Sequence, residues 1–173
     1  ANLIIIQDYN KGLMDESFIK KILLIGQKNK IPIMVDPKKL NFLKYQGIKL
    51  IKPNLLEAEN ILKKKIKITN SELKKDLKKI QKKTNCEFII LTLGKNGLCI
   101  YGNNTFHREN GIKEEIIDVT GAGDGVISLA SLGICLNLTI HEIGRISNYA
   151  GFFSCKHIGT NSIYTHNFKN ILK

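Results

Sequence analysis

Residues 118–125, with the sequence DVTGAGDG, place small residues and a carboxylate directly before a predicted helix. Small residues allow a tight turn and let main-chain N–H groups approach a ligand closely. The unpaired amides and positive dipole end of the following helix favour phosphate oxygens at the same place. Asp124 would then be suited to accept the proton of an attacking hydroxyl group. The structural alternative is that Asp124 only caps the helix and the glycines only form a tight loop.

A second polar pair, Asn54 and Glu57, begins the helix that is predicted after the apolar run 48–52. Residues at positions i and i+3 of a helix face the same way, so both side chains can approach one ligand. Mg²⁺ retains several waters and uses few protein carboxylates, which suits such a pair. The alternative is a capping-box-like arrangement that serves the helix alone.

The elements that must position these residues alternate between strand-like and helix-like segments. Strands are predicted at 2–6, 31–35, 48–52, 88–93, 98–101, 105–108 and 112–117. Helices are predicted at 15–28, from about 54, at 70–84 with Asn70 or Ser71 as the cap, at 122–136, at 140–155 and at 164–171. Asn96-Gly97 between two apolar runs predicts a hairpin. This order indicates one α/β layered domain, mostly parallel with antiparallel edge strands.

The formal net charge of +12 could indicate a nucleic-acid-binding protein, but the basic residues argue against it. All but two of the 27 are Lys, and phosphate-binding surfaces rely more on Arg. The densest basic run, 74–83, shares a helix with Leu73, Leu77 and Ile80, so its lysines are predicted to form a solvated face. No apolar run reaches the roughly 18–20 residues of a membrane helix, and no signal peptide is recognised. A cytoplasmic protein with no nucleic-acid or membrane partner is expected.

The turn 118–124 resembles the C-terminal signature of the ribokinase (PfkB) family of carbohydrate kinases. The resemblance implies that Asp124 is the base that deprotonates the sugar hydroxyl. It also implies that the amides of the preceding turn form an anion hole for the transferred phosphoryl group; they belong to Gly121, Ala122 and Gly123. Asn54 and Glu57 match the family's N-x-x-E pair, which organises Mg²⁺ and the ATP phosphates largely through water.

Three further matches concern the nucleotide and a cation. Residues 91–97 resemble the family's strand and glycine turn beside ATP, which implies ATP contacts from Thr92, Gly94 and Gly97. Asn148 matches a helix position near the adenine pocket, although a lone Asn on a mixed helix is more often only a packing or surface residue. In some relatives a monovalent cation is bound as well, and Asp118 and Thr120 are the positions that such a cation would use here.

Within the family the chain resembles the heptose 7-phosphate kinases of lipopolysaccharide-core biosynthesis. Residues 8–12 (DYNKG), 36–38 (DPK), 52–55 (KPNL) and 158–160 (IGT) carry this match. The resemblance implies a ribokinase-like three-layer sandwich that lacks the N-terminal part and the β-lid. Residues 1–173 are then the C-terminal, nucleotide-binding portion of the kinase domain. The implied reaction is phosphorylation of D-glycero-β-D-manno-heptose 7-phosphate to the 1,7-bisphosphate with Mg-ATP.

Two departures from the family pattern leave alternatives open. The family's N-terminal part carries most sugar contacts, so a separate N-terminal half or a homodimer partner is expected to complete the site. Gly125 stands where the heptose kinases usually have Thr, and this loosens the first helical turn by about 0.5–1 kcal/mol. A kinase for another sugar or a nucleoside, or a truncated non-catalytic remnant, is the alternative.

Overall fold

Six strands form one sheet in the computed structural model, which describes residues 1–156, 158–159 and 162–164. They lie side by side in chain order as β1 (Ile4–Gln7), β2 (Ile33–Asp36), β3 (Leu50–Ile51), β4 (Phe88–Thr92), β5 (Leu98–Gly102) and β6 (Thr105–Glu109). The first four strands are parallel, and β5 and β6 are antiparallel. The predicted α/β class, mostly parallel with antiparallel strands at one edge, is therefore confirmed.

Five α-helices in the described part of the chain cover the two faces of this sheet. They are α1 (Glu16–Asn29), α2 (Leu55–Leu62), α3 (Asn70–Thr84), α4 (Ala122–Cys135) and α5 (Ile140–Ser154). The first three pack against one face and the last two against the other, which gives three layers. Met34 on β2 points into one core and Val35 into the other, and both are fully buried. A strand buried on both faces is expected to be apolar throughout.

The lysine-rich helix α3 confirms one prediction and corrects another. Its six lysines from 74 to 83 are exposed, while the apolar side of the helix is fully buried. The N-cap, however, is Thr69 and not Asn70 or Ser71. Thr69 has an extended backbone and its hydroxyl accepts from the amide of Glu72, whereas Asn70 is already helical. A side chain can cap only from the residue that precedes the helical turn.

The strand predicted at 112–117 is wrong. The amides of Ile117 and Asp118 both donate to the carbonyl oxygen of Cys155, at 2.9 and 3.2 Å, so this segment is bonded to the end of α5 and not to the sheet. Ile117 is 61% exposed, which no core strand would allow. The apolar composition of the segment suggested a strand, but its backbone finds hydrogen bonds elsewhere.

The predicted hairpin is confirmed, with a turn longer than the Asn-Gly pair suggested. The strands β4 and β5 are joined through a short 3₁₀ turn, Gly94–Asn96. Gly94 and Gly97 have φ of +57° and +85°, conformations that favour glycine. The helix predicted at 164–171 lies outside the described residues from 165 onward. Along the described residues no helix has the length and apolar character needed to cross a membrane.

Candidate active site

The carboxyl ends of the parallel strands open onto a cavity of about 680 Å³. Open α/β sheets bind ligands at this edge, beyond the strand ends. Asn54, which follows β3, forms an isolated parallel bridge with Thr92 at the end of β4, so the two predicted nucleotide contacts are neighbours. The start of α4 and the side of α5 close the cavity from the other layer. The cavity therefore collects residues from both halves of the chain.

The small-residue turn places Asp124 at the cavity, in the first turn of α4. The N-cap of this helix is Gly121, with φ of +77°, so the alternative of Asp124 as the capping residue is wrong. Ala122, Gly123 and Asp124 line the cavity. The amide of Ala122 also contacts the carbonyl oxygen of Val119, at 3.3 Å, a long and weak hydrogen bond. The turn thus presents main-chain N–H groups and a helix N-terminus next to a carboxylate.

Gln7, the last residue of β1, contacts this carboxylate directly. Its Nε2 donates to Oδ1 of Asp124 at 2.8 Å. The contact crosses from the edge strand of the sheet to the first turn of α4. It leaves the other carboxylate oxygen available for a hydroxyl group.

Asn54 and Glu57 form a complete capping box at the start of α2. Asn54 Oδ1 accepts from the amide of Glu57, and Glu57 Oε2 accepts from the amide of Asn54, both at 2.9 Å. The remaining oxygen of Glu57 accepts from Nζ of Lys38 at 3.0 Å. Asn54 and Lys38 line the cavity, and Glu57 lies directly behind them. Such oxygen donors fit Mg²⁺ bound through water, because the cap already orients both side chains.

A buried ion pair lies beneath the turn formed by residues 118–124. Lys52 Nζ contacts Asp36 Oδ2 at 3.0 Å, and the side chains are only 4% and 10% exposed. A Cβ added to Gly123 would lie 3.2 Å from this ammonium, so the glycine lets the turn approach the charge. Burial raises the pKa of Asp36, and the charge of Lys52 offsets only part of that rise. The turn therefore lies next to a fixed positive charge, which would attract an anion.

The other predicted nucleotide residues also lie at the cavity. Thr92, Gly94 and Gly97 line it from the hairpin, and Asn148 lines it from α5. Nδ2 of Asn148 donates to the carbonyl oxygen of Asn110 at 2.9 Å, which fixes the segment after β6 against the helix. A Cβ on Gly97 would collide with the main chain of Glu109, so this position requires glycine for space as well as for conformation.

The family model of pfkB carbohydrate kinases matches residues 2–167 of the chain. The chain belongs to the pfkB family. Two curated relatives are the bifunctional protein HldE of Campylobacter concisus, 30% identical over 98% of the chain, and that of Aliarcobacter butzleri, 34% identical over 85%. The chain spans only 38% and 30% of the length of these two relatives.

Two solved kinase structures share the fold. Phosphofructokinase-2 of Escherichia coli, in a complex with potassium, superposes with a TM-score of 0.85 at 18% identity, over 98% of this chain and 55% of that one. The 2-dehydro-3-deoxygluconokinase of Thermotoga maritima gives 0.84 at 12% identity, over 99% and 59%. The pfkB chain described here thus corresponds to a little over half of either structure.

In this pfkB chain, Asp8, the first residue of the DYNKG segment, is buried and fixes the surrounding loop. Asp8 is 1% exposed, and its carboxylate accepts from Nδ2 of Asn41, from the hydroxyl of Tyr45 and from the amide of Asn10. Burial raises the pKa of Tyr45, and its hydrogen bond to Asp8 raises it further. Tyr9 of the same segment is 60% exposed and lines the cavity. The segment therefore offers Tyr9 to a ligand, while Asp8 holds the loop in place.

Asp118, at the start of the signature turn, also holds the loop. Its Oδ1 accepts from the amide and hydroxyl of Thr120, and its Oδ2 accepts from the amide of Gly159. The bond from Gly159, followed by those from Thr120, lowers the pKa of Asp118. The contact with Gly159 places the described part of the IGT match beside the turn, and Thr160 lies outside the described residues.

Sequence reasoning did not assign roles to Gln7, Lys38 or Lys52. Each had a signal: Gln7 and Lys52 are polar residues that end buried apolar runs, at the strand ends where ligands bind. Lys38 lay inside the noted DPK match. The sequence could not identify the partner of each residue, because all three contact carboxylates that are distant in sequence.

Proposed function

We propose that the chain is the nucleotide-binding part of a cytoplasmic kinase that transfers a phosphoryl group from Mg-ATP to a sugar phosphate. The observation that carries this proposal is Asp124 in the first turn of α4, beside the main-chain amides of the signature turn and above Lys52. A base and an anion-binding group next to each other are what transfer of a phosphoryl group to a hydroxyl requires.

In the proposed reaction the sugar hydroxyl oxygen attacks the γ-phosphorus of ATP. The bond from that phosphorus to the bridging oxygen breaks, and its electron pair leaves with ADP. The hydroxyl proton passes to the free carboxylate oxygen of Asp124. A weak base at a helix N-terminus suffices, because in a loose transition state the proton is lost late. The amides of residues 121–123 and the ammonium of Lys52 stabilise the charge on the transferred group.

The divalent metal and the nucleotide have separate sets of residues in this proposal. Asn54 and Glu57 hold Mg²⁺ through its waters, and the metal, when bound, neutralises phosphate charge. Thr92, Gly94, Gly97 and Asn148 border the nucleotide. Asp118 and Thr120 are the proposed neighbours of a monovalent cation, which a comparison of rates in potassium and sodium salts would test.

The acceptor we propose is D-glycero-β-D-manno-heptose 7-phosphate, phosphorylated at its anomeric oxygen. The support is the resemblance of residues 8–12 and 36–38 to the heptose kinases, together with their position here. Tyr9, Asp36 and Lys38 all line the cavity that contains Asp124. Another sugar or a nucleoside would be accepted in place of the heptose if these residues contact only the nucleotide.

The partner we propose is polypeptide equivalent to the N-terminal part of the solved kinases. Among the described residues β1 pairs with β2 and with no other strand, so its outer edge offers free main-chain groups. Ile5 of β1 is itself exposed, and α1 and α4 also carry exposed apolar side chains, namely Leu24, Ile25, Leu132 and Leu136. An unpaired sheet edge, together with exposed apolar side chains, favours pairing with a further strand. The same strand carries Gln7, so the partner would extend the sheet beside the catalytic base.

The test is ATP consumption with the heptose 7-phosphate and Mg²⁺, by the chain alone and by the chain mixed with a polypeptide equivalent to the N-terminal part of the solved kinases. Turnover that needs both parts and disappears in Asp124→Asn supports the proposal. Turnover by a dimer of the chain alone would show that the partner is a second copy of the chain and not an N-terminal polypeptide. If the folded protein with its partner consumes no ATP with any sugar phosphate or nucleoside, the chain is a non-catalytic remnant.

A further inference from the structure

The ion pair between Lys38 and Glu57 is unequal in its two halves. Glu57 is buried, its side chain 10% exposed, and its Oε2 is held by the amide of Asn54. Lys38 follows β2, and its side chain is 42% exposed. A long, flexible side chain of this kind can leave its partner without opening the core. The carboxylate is therefore fixed and the ammonium is the half that can move.

The buried carboxylate needs a counter-charge. A buried charge without a partner is strongly unfavourable, and Lys38 supplies the partner at 3.0 Å.

The same ammonium stands in the way of a divalent cation. A metal bound through water near Glu57 would meet a positive charge within a few ångströms, and like charges repel more strongly at a partly buried site than in bulk water. Nucleotide phosphates entering the cavity would offer Lys38 an alternative anion, since Lys38 and the signature turn line the same space. The metal could then take the position at Glu57 as the ammonium leaves.

The second pair at the cavity shows a contrasting design. Lys52 and Asp36 are both buried, and the ammonium lies against the signature turn. That charge is fixed where phosphate is expected. Two lysines at the ends of neighbouring strands thus differ in mobility, and Lys38 is the one whose partner is the proposed metal-binding carboxylate.

We propose that Lys38 is an exchangeable counter-ion of Glu57: it keeps free divalent cations out of the site and moves to the phosphates when the metal–nucleotide complex binds. Lys38 then determines that the metal enters with the nucleotide and not before it. This inference rests on the proposed function for the identity of the ligand, a metal–nucleotide complex, and for the place of the metal near Glu57.

Binding of Mn²⁺, measured by electron paramagnetic resonance on the folded chain without nucleotide, tests the first half. Lys38→Met and Lys38→Gln are each expected to bind Mn²⁺ at least about tenfold more tightly than the unmodified chain. The double variant Lys38→Met/Glu57→Gln is expected to lose this gain. Lys39→Met, at an exposed neighbouring lysine, is the matched control and should leave the affinity unchanged. Lys38→Gln retains a hydrogen-bond donor, so it remains informative if Lys38→Met unfolds.

Calorimetric binding of the non-hydrolysable analogue AMP-PNP tests the second half. Without metal, Lys38→Gln should bind the analogue at least about fivefold more weakly, because one phosphate partner is lost. With Mg²⁺ present the loss should be smaller, since the variant also gains metal affinity. Equal Mn²⁺ affinities for the unmodified chain and both Lys38 variants would overturn the inference.

The two proposals fail separately. Tighter Mn²⁺ binding in the Lys38 variants, combined with no turnover of any sugar phosphate, would support the counter-ion role and contradict the proposed function. Turnover of a sugar phosphate, combined with unchanged Mn²⁺ affinity in the Lys38 variants, would support the proposed function and contradict the counter-ion role.

Discussion

Gln7 Nε2 lies 2.8 Å from Oδ1 of Asp124, joining the edge strand β1 to the first turn of α4 across 117 positions of the sequence. The amide fixes one carboxylate oxygen and thereby directs the other toward the cavity. A hydrogen bond to a charged group contributes about 1.5–3 kcal/mol, and 1.4 kcal/mol corresponds to a factor of ten. We expect Gln7→Leu to lower kcat about ten- to a hundredfold in the form of the protein that turns over.

The effect of Gln7→Leu should appear in kcat and leave the KM for Mg-ATP within about twofold, because Gln7 contacts the base and not the nucleotide residues. Steady-state rates at varied ATP separate the two parameters. Gln27→Leu, at an exposed position of α1, is the matched control. A Gln7→Leu enzyme with an unchanged kcat would show that the contact plays no part in catalysis.

Gly125 has a packing reason that the sequence did not reveal. An added Cβ would lie 2.7 Å from the hydroxyl of Ser154 and 3.0 Å from the carbonyl oxygen of Ala150, both on α5. The expectation that glycine merely loosens the helix therefore omits the close approach of α4 to α5. Overpacking typically costs about 1–3 kcal/mol, against a gain of about 1 kcal/mol in helix propensity.

We expect Gly125→Ala to lower the free energy of unfolding by up to about 2 kcal/mol, measured by urea denaturation. Adding Ser154→Ala should recover part of the loss, because it removes the nearer of the two obstructing atoms. Ser154→Ala alone provides the reference for the cycle. A Gly125→Ala chain more stable than the unmodified one would mean that α5 shifts without strain.

The elements that the sequence predicted well are those whose signals are local. Alternating apolar runs placed the strands and helices within a few residues, and the small residues of 118–125 indicated a turn at a helix start. The strand at 112–117 was wrong because apolar composition cannot tell whether the main chain bonds to a sheet or to the carbonyl of Cys155. Thr69 was missed as a cap because three consecutive polar residues offered the same chemistry.

Site residues within a sequence motif were predictable. Site residues that depend on a contact with a distant partner were not. Asn54, Thr92 and Asp124 reach one cavity, which their order along the chain suggested. The partners of Gln7 and Lys52 depend on strand register and on how α4 packs against the sheet. These contacts depend on the tertiary structure. Gln7 lies next to Asp36 in the β1–β2 register, and neither residue is near Asp124 in sequence.

The four cysteines should differ sharply in reactivity. Burial raises the pKa of the Cys86 thiol to about 11 and that of Cys99 to about 12. Burial, and then the charge of Asp118, raises the pKa of Cys155, whereas Cys135 is exposed. Because the thiolate is the reactive form, we expect one fast thiol in a disulfide-exchange titration of the native chain at pH 8. That phase should vanish in Cys135→Ser, and more than one fast thiol would contradict the burial described here.

The Lys52–Asp36 pair gives a stability prediction with a definite dependence on pH. Lys52→Met leaves the Asp36 carboxylate buried without its partner, and breaking a buried pair in this way costs about 3–5 kcal/mol. The pKa of Asp36 is already raised by burial, and loss of Lys52 should raise it further. An acid whose folded pKa exceeds its unfolded value holds its proton more tightly when folded, so stability falls as pH rises between the two values.

We therefore expect Lys52→Met to be most destabilised at pH 8 and to recover part of the loss as the pH falls toward 5, where Asp36 is more readily neutral. The double variant Asp36→Asn/Lys52→Met lacks the titrating group, so its free energy of unfolding should depend less on pH than that of Lys52→Met. Urea unfolding of the three proteins between pH 5 and 8 measures this. If the loss in Lys52→Met does not depend on pH, it arises from packing of the lysine stem and not from the isolated carboxylate.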